Sequence, residues 1–291
     1  MRVMNWLRAI VPALAFAAPM TAVAQGEVVV YCTVQEEWCR PMVAAFEKAT
    51  GIKVLMTRKS SGEFYAQIKA EAANPRGDVW WGGTGDPHLQ AAEEGLTEPY
   101  KSPRMGELQD WAVRQWEAAK GRTVGVYAGA LGYSFNVPQL GKKGLAEPKC
   151  WADLTKPQFK DEVQVANPNS SGTSYTMLAT FVQLWGEDKA FDFLKALHRN
   201  INQYTKSGAA PARAAATGES LVGITFQHDA VVQAVNGAPV RIVSPCEGTG
   251  YEIGSMSIIK GAKNMMRAKK SSHSTVPPPA PASGSEAPAT P

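Results

Sequence analysis

The chain has 291 residues, 44 % of them apolar, which allows one large core or two medium lobes and excludes a disordered chain or a disulfide-only miniprotein. Its formal charge of +4 comes wholly from the ends: Arg2 and Arg8 before residue 25, and Arg267, Lys269 and Lys270 against Glu286 after residue 263. The body between them is neutral and has no run of Lys or Arg, which excludes capture of nucleic-acid backbones.

Residues 1–24 join a short basic start to an apolar stretch, Ala9 to Ala18, and end in Ala22-Val23-Ala24 before Gln25. Small residues at the first and third of those last positions fit a signal-peptidase site, and the apolar stretch is too short to span a bilayer. A cleaved export signal and a periplasmic destination are predicted. Four cysteines, Cys32, Cys39, Cys150 and Cys246, suit that oxidising compartment. They allow three pairings, of which Cys32–Cys39 with Cys150–Cys246 is favoured, because Cys32 and Cys39 are near enough to staple a first helix to the strand before it. His88, His198, His228 and His273 show no ligand spacing with the cysteines, so no metal and no cofactor is predicted.

EVVVYCT from residue 27 reads as a buried strand, followed by a helix from about Glu37 to Thr50 with Met42, Val43 and Phe46 at helical spacing. IKVLMTR gives a second strand, Ser60-Ser61-Gly62-Glu63 opens a helix through Ala73, and DVWWGG gives a third strand before a helix at Pro87 to Gly95. This β-α-β-α-β order predicts a doubly wound α/β lobe. Residues 123–137 read as a long strand that leaves it. Beyond, 162–167 and 239–245 read as strands, 170–186, 187–199 and 210–218 as helices, 220–235 as a strand running into a helix, and 251–260 as a return. The predicted organisation is lobe 1 at 25–125 plus 251–270, lobe 2 at 126–250, and a hinged cleft between them. From Ser271 the sequence SSHSTVPPPAPASGSEAPATP has hardly an apolar side chain larger than Ala, and a disordered tail over 271–291 is predicted.

In parallel α/β sheets ligands gather beyond the carboxyl ends of strands, where helix N-termini present free N–H groups. Four loops of that kind carry small hydroxyl or glycine residues: Cys32-Thr33, Ser60-Ser61-Gly62, Gly82-Gly83-Thr84 and Ser170-Ser171-Gly172-Thr173. They suit phosphate or carboxylate oxygens without a fixed positive charge, with Thr33, Ser61, Gly62, Thr84, Ser171, Gly172 and Thr173 as candidate ligands. His228 and Asp229 at a strand end, with Glu252 in the returning segment, form a second cluster. Two carboxylates repel a phosphate, so in a shared cleft they meet the ligand's other end, where carboxylates and a neutral imidazole suit sugar hydroxyls. Arg58 and Lys59 read as a solvated pair, His88 as a surface residue, and one of Trp80 and Trp81 as core. Ser171, His228 and Asp229 have the residue types of a hydrolytic triad, but adjacent His and Asp side chains on a strand diverge, which argues against a secreted phosphatase.

VVVYCTVQEEWCRPMVAAFEKATGIKV, SSGE, NPRGDVWWGGTGDPHLQAAEEGLTEPY, YSFN and PNSSGTSYTM together resemble the periplasmic solute-binding proteins of ATP-binding-cassette (ABC) importers, in the ferric-binding-like branch, over about residues 27 to 263. The resemblance implies a two-lobed periplasmic-binding-protein fold of type II, a monomer without catalysis, a small anionic solute, and an ABC permease of the inner membrane as partner. Ferric binders of the branch ligate the metal with an adjacent tyrosine pair after a strand like GITF. Here that place holds His228-Asp229, which removes the phenolates a hard ferric ion favours. His-Asp with a later Glu, here Glu252, is instead similar to the AfuA-type hexose-phosphate binders. That resemblance implies His228, Asp229 and Glu252 on sugar hydroxyls and the Ser/Thr/Gly loops on phosphate, with ferric iron or a phosphonate such as 2-aminoethylphosphonate as alternative ligands. Family members continue past a GAKN-like segment with further helices, whereas Ala268-Lys269-Lys270 leads here into the Ser/Pro-rich tail, which predicts a frameshift or truncation.

Overall fold

The computed structural model describes residues 26–274, so the predicted export signal and residues 275–291 of the predicted tail lie outside it. The first part of the chain runs β1 (Glu27–Cys32), α1 (Glu36–Thr50), β2 (Lys53–Arg58), α2 (Ser61–Ala70), β3 (Val79–Trp81), α3 (Gly85–Glu93), β4 (Thr97–Glu98) and α4 (Asp110–Ala118). Next come β5 (Val124–Asn136), α5 (Val137–Lys142), β6 (Val163–Ala166), α6 (Gly172–Trp185), α7 (Glu187–His198), β7 (Ile201–Thr205), α8 (Ala210–Thr217), β8 (Val222–Phe226), α9 (Gln227–Val235), β9 (Val240–Val243), β10 (Tyr251–Ile259) and α10 (Met265–Ser274).

Strands β6 and β8 are buried at every residue, the pattern of parallel strands covered on both faces, and β8 (VGITF) reads as an apolar run for that reason, whereas β6 buries Gln164. The strand order is β2-β1-β3-β10-β5-β8-β6-β7, with β4 added on β10 and β9 on β5. Strands β1, β2 and β3 pair in parallel, as do β6, β7 and β8, while β10 and β5 join the two sets through antiparallel ladders. β5 belongs to both: it pairs with β10 through Ala130 and with β8 from Leu131 onward. The core divides at the same place. Val28, Val30, Val79, Trp81, Met256 and Ile258 pack with Phe46 of α1 on one side, and Leu131, Tyr133, Phe135, Trp151, Phe181 and Ile224 on the other.

Both favoured disulfides are present, with Cα–Cα distances of 6.6 Å for Cys32–Cys39 and 4.7 Å for Cys150–Cys246. Strand β7 went unforeseen because it lies at the edge of the sheet with its residues half or fully exposed, so INQYT carries no apolar pattern. The tail expectation fails at its start: α10 runs through Ser274, Ala268 is fully buried against the β1–β10 core, and Ser271 is buried as well. The preceding turn is docked by Asp78, whose carboxylate accepts from the Asn264 N–H at 2.9 Å, from Asn264 Nδ2 at 3.0 Å and from the Val29 N–H at 2.8 Å.

Candidate functional site

Six helices turn their N-termini toward one cavity between the two sets of strands. Their N-cap residues, Gln35 (α1), Ser60 (α2), Thr84 (α3), Ser171 (α6), Ala209 (α8) and Phe226 (α9), all line it. Each terminus brings unpaired N–H groups and the positive end of a helix dipole. The cavity holds about 400 Å³ when the space of its open mouth is included.

Of the sequence-predicted ligands, Thr33, Ser61, Thr84, Ser171, Gly172, Thr173, His228, Asp229 and Glu252 line this cavity. Gly62 does not. Its N–H donates to the Ser170 carbonyl at 3.1 Å, so it ties the two sides together beside the cavity instead of facing it. Further ties cross the same crevice: Ser60 Oγ donates to the Lys206 carbonyl at 2.9 Å, Arg58 Nη2 to Ser207 Oγ at 3.0 Å, and Gln35 Nε2 to Asp229 Oδ1. The cleft is therefore in a closed arrangement. Two glycines permit the approach. Gly83 has φ 84° and lies where a Cβ would collide with Thr33 Oγ1 and Ser61 Oγ, and a Cβ on Gly172 would collide with Thr84 Oγ1.

The expectation of an anion site without a fixed positive charge is corrected by Arg58. Its guanidinium lines the cavity, donates to the Val34 carbonyl at 3.1 Å and to Ser207, and burial, followed by Arg213, lowers its pKa from the ordinary arginine value. Lys59, the residue after β2, points away and donates to Gln67 Oε1 at 2.7 Å on the exposed side. Thr33 is placed at the cavity, but its hydroxyl proton is directed at the carbonyls of Trp81 and Gly82. Thr84 Oγ1 is buried with no partner.

At the other end Asp229 is the third residue of α9, and its Oδ2 accepts from Thr225 Oγ1 at 3.0 Å. His228 and Asp229 do not diverge as strand neighbours, because both sit in the first helical turn: His228 Nε2 lies 3.6 Å from Asp229 Oδ1 and 3.9 Å from Glu252 Oε1. The rings of Trp38, Phe226 and Tyr127 surround the imidazole at centroid distances of 5.0, 5.5 and 5.9 Å. Burial lowers the His228 pKa against the pull of Asp229, so the ring is neutral near pH 7. Burial, and then the Asp229 charge, push the Glu252 carboxyl well above the usual carboxylate range, with the Tyr127 hydroxyl opposing. That direction favours the protonated form of Glu252, in which the group donates a hydrogen bond as well as accepting one.

His88 is not a surface residue. It is fully buried, stacked on Trp80 at 3.6 Å, with Nε2 donating to the Gly82 carbonyl at 3.1 Å and Nδ1 accepting from Ser257 Oγ at 2.8 Å. It thereby braces the loop that ends in Thr84. Both Trp80 and Trp81 are buried. Gln35, Arg58 and Tyr127 are polar cavity residues that local sequence did not assign to the site; each makes contacts with residues distant in the chain.

Residues 84–271 match the profile of the bacterial extracellular solute-binding proteins. A protein of Haemophilus influenzae is 51 % identical over 251 residues, covering 86 % of this chain and 72 % of its own length. The structure of the periplasmic binding protein AfuA from Actinobacillus pleuropneumoniae, with exogenous fructose-6-phosphate bound, is similar at a TM-score of 0.82 and 46 % identity, over 87 % of this chain and 80 % of that one. The periplasmic binding protein P5PA is similar at a TM-score of 0.83 and 39 % identity over the same shares. Among the described residues no helix is long and apolar enough to cross a membrane. The matched family and the two solved structures are of binding proteins, not enzymes, and proteins of this family work with ABC permeases and bind small solutes. The chain belongs to the bacterial extracellular solute-binding protein family and has its two-lobed periplasmic fold.

Proposed function

We propose that this receptor captures a hexose phosphate in the interlobe cleft and delivers it to an ABC permease of the inner membrane. The observation that carries this reading is the two-ended chemistry of one cavity. Helix N-termini, the Ser61, Thr84, Ser171 and Thr173 hydroxyls and Arg58 offer donors and positive charge for a phosphate, and Asp229, Glu252 and neutral His228 offer mixed acceptors and donors for hydroxyls. The fructose-6-phosphate in the AfuA structure, at 46 % identity, supports the same ligand class. Iron is disfavoured because, among the described residues, no adjacent tyrosine pair lines the cavity, and Tyr127, which does line it, is held as the phenol by burial. The protein acts as an exported monomer after loss of residues 1–24, with 25–125 plus 251–270 and 126–250 as the lobes that open and close.

A thermal-shift panel on the mature protein with glucose 6-phosphate, fructose 6-phosphate, inorganic phosphate, 2-aminoethylphosphonate and ferric citrate tests the reading. A hexose phosphate at 100 times its dissociation constant adds about 2.7 kcal/mol and raises the Tm by several degrees, more than free phosphate does. Stabilisation by ferric citrate alone, or release of inorganic phosphate from the sugar phosphates, refutes it.

A further inference from the structure

Gln35 lies in the short loop between β1 and α1 and is buried in the cavity wall. Its side chain divides into two halves with different fates. Nε2 donates across the cleft to Asp229 Oδ1, while Oε1 is buried and has no hydrogen-bond partner. An amide turned end over end would set Oε1 against the Asp229 carboxyl oxygen, acceptor facing acceptor, so the bond to Asp229 decides which end of Gln35 remains for a solute. A buried carbonyl oxygen without a donor is costly, and any donor brought into the cleft by a solute relieves that cost.

The loop that carries Gln35 is fixed at both ends. The Cys32–Cys39 disulfide brackets Thr33, Val34 and Gln35, all three of which line the cavity, and both cysteines are fully buried. Within the bracket the Gln35 carbonyl accepts from the Trp38 N–H at 3.0 Å and the Cys39 N–H at 3.3 Å.

We infer that Gln35 is a specificity-determining residue of the cleft: its Oε1 accepts a hydrogen bond from one hydroxyl of the bound sugar phosphate, and Asp229 and the Cys32–Cys39 bracket hold it in that orientation. This rests on the sugar-phosphate reading. It gives the disulfide a role in recognition, because a reduced loop lets the amide leave Asp229 and lose its fixed polarity.

The test is calorimetric titration of the wild type, Gln35→Met, Gln35→Ala and the pair Cys32→Ser/Cys39→Ser with glucose 6-phosphate and its 1-, 2-, 3- and 4-deoxy analogues. The wild type binds the analogue lacking the partner hydroxyl about three- to tenfold more weakly, the range of one net hydrogen bond. In Gln35→Met and Gln35→Ala the parent sugar phosphate weakens by a similar factor, and the penalty for that one analogue disappears while the penalties for the others remain. The cysteine pair reduces the same penalty. A merely structural role for Gln35 lowers every affinity equally, and that result, or an unchanged deoxy profile, overturns the inference while leaving the sugar-phosphate reading intact. Failure of the wild type to bind any of these sugar phosphates overturns both.

Discussion

Lowering the pH from 7 to 4 drives a proton toward a ring that the fold holds neutral at His88. Burial depresses its pKa from 6.5 to about 3, and both ring nitrogens are engaged, Nε2 as donor to Gly82 and Nδ1 as acceptor from Ser257. The unfolded chain therefore binds this proton at a higher pH than the folded chain does. The contribution to stability is fully present above about pH 6.5 and is lost as the pH falls toward 3. At about 1.4 kcal/mol per unit, the full shift is worth about 5 kcal/mol, of which about 3 kcal/mol disappears between pH 7 and pH 4. For a chain of this size that is a fall in Tm of about 6 to 12 °C from His88 alone. Thermal melts of the wild type and His88→Asn at pH 7 and pH 4 isolate it, since His228 and the carboxyl groups are common to both proteins. The variant is less stable at pH 7, where it loses the stacking on Trp80, but its Tm falls less between the two pH values. Equal falls in the two proteins refute the reasoning.

Glu252 has the opposite sign. Its raised folded pKa gives a contribution present below about pH 4.5 that is lost as the pH rises, so Glu252→Gln flattens the decline of stability above pH 5 in chemical denaturation. Gly172→Ala wedges the closed cleft against Thr84 without burdening the open form; titration shows affinity reduced by about tenfold or more, the cost of a small overpacking, while the Tm of the free protein stays close to wild type. The two disulfides close loops of different size, with sequence separations of 7 and 96, so by chain entropy removing Cys150–Cys246 costs about 4 to 5 kcal/mol and removing Cys32–Cys39 about 2 kcal/mol in denaturant melts.

That the Ser/Thr/Gly loops share one cavity was legible in the sequence because their pattern is local. A strand followed by Ser, Thr or Gly at a helix start is a short pattern, and the parallel sheet brings all such starts to one edge. The residues that escaped are those whose environment is set by distant partners. Gln35 meets Asp229 across 194 positions, and Arg58 meets Ser207 across 149. Read alone, Arg58-Lys59 has the look of a solvated pair, and it is the partners, Ser207 for Arg58 and Gln67 for Lys59, that send one inward and the other out. His88 was misread because Asp-Pro-His at a helix start resembles a surface turn, whereas Trp80 and the β10 strand close over it. The last turn of α10 is Ser-rich and carries no apolar signal of its own, and it is helical because Ala268 and Ser271 are already buried on the first set of strands.

The central claim is that one cleft has two chemically distinct ends. It is tested most directly by calorimetric titration of wild type and Asp229→Ala with glucose 6-phosphate and with inorganic phosphate. Asp229 touches Gln35, Thr225 and His228 at the end proposed for the sugar hydroxyls, while Arg58 and the helix starts form the end proposed for the phosphate. The account predicts that Asp229→Ala weakens glucose 6-phosphate by about tenfold or more and changes inorganic phosphate by no more than about twofold. Equal losses for the two ligands contradict it.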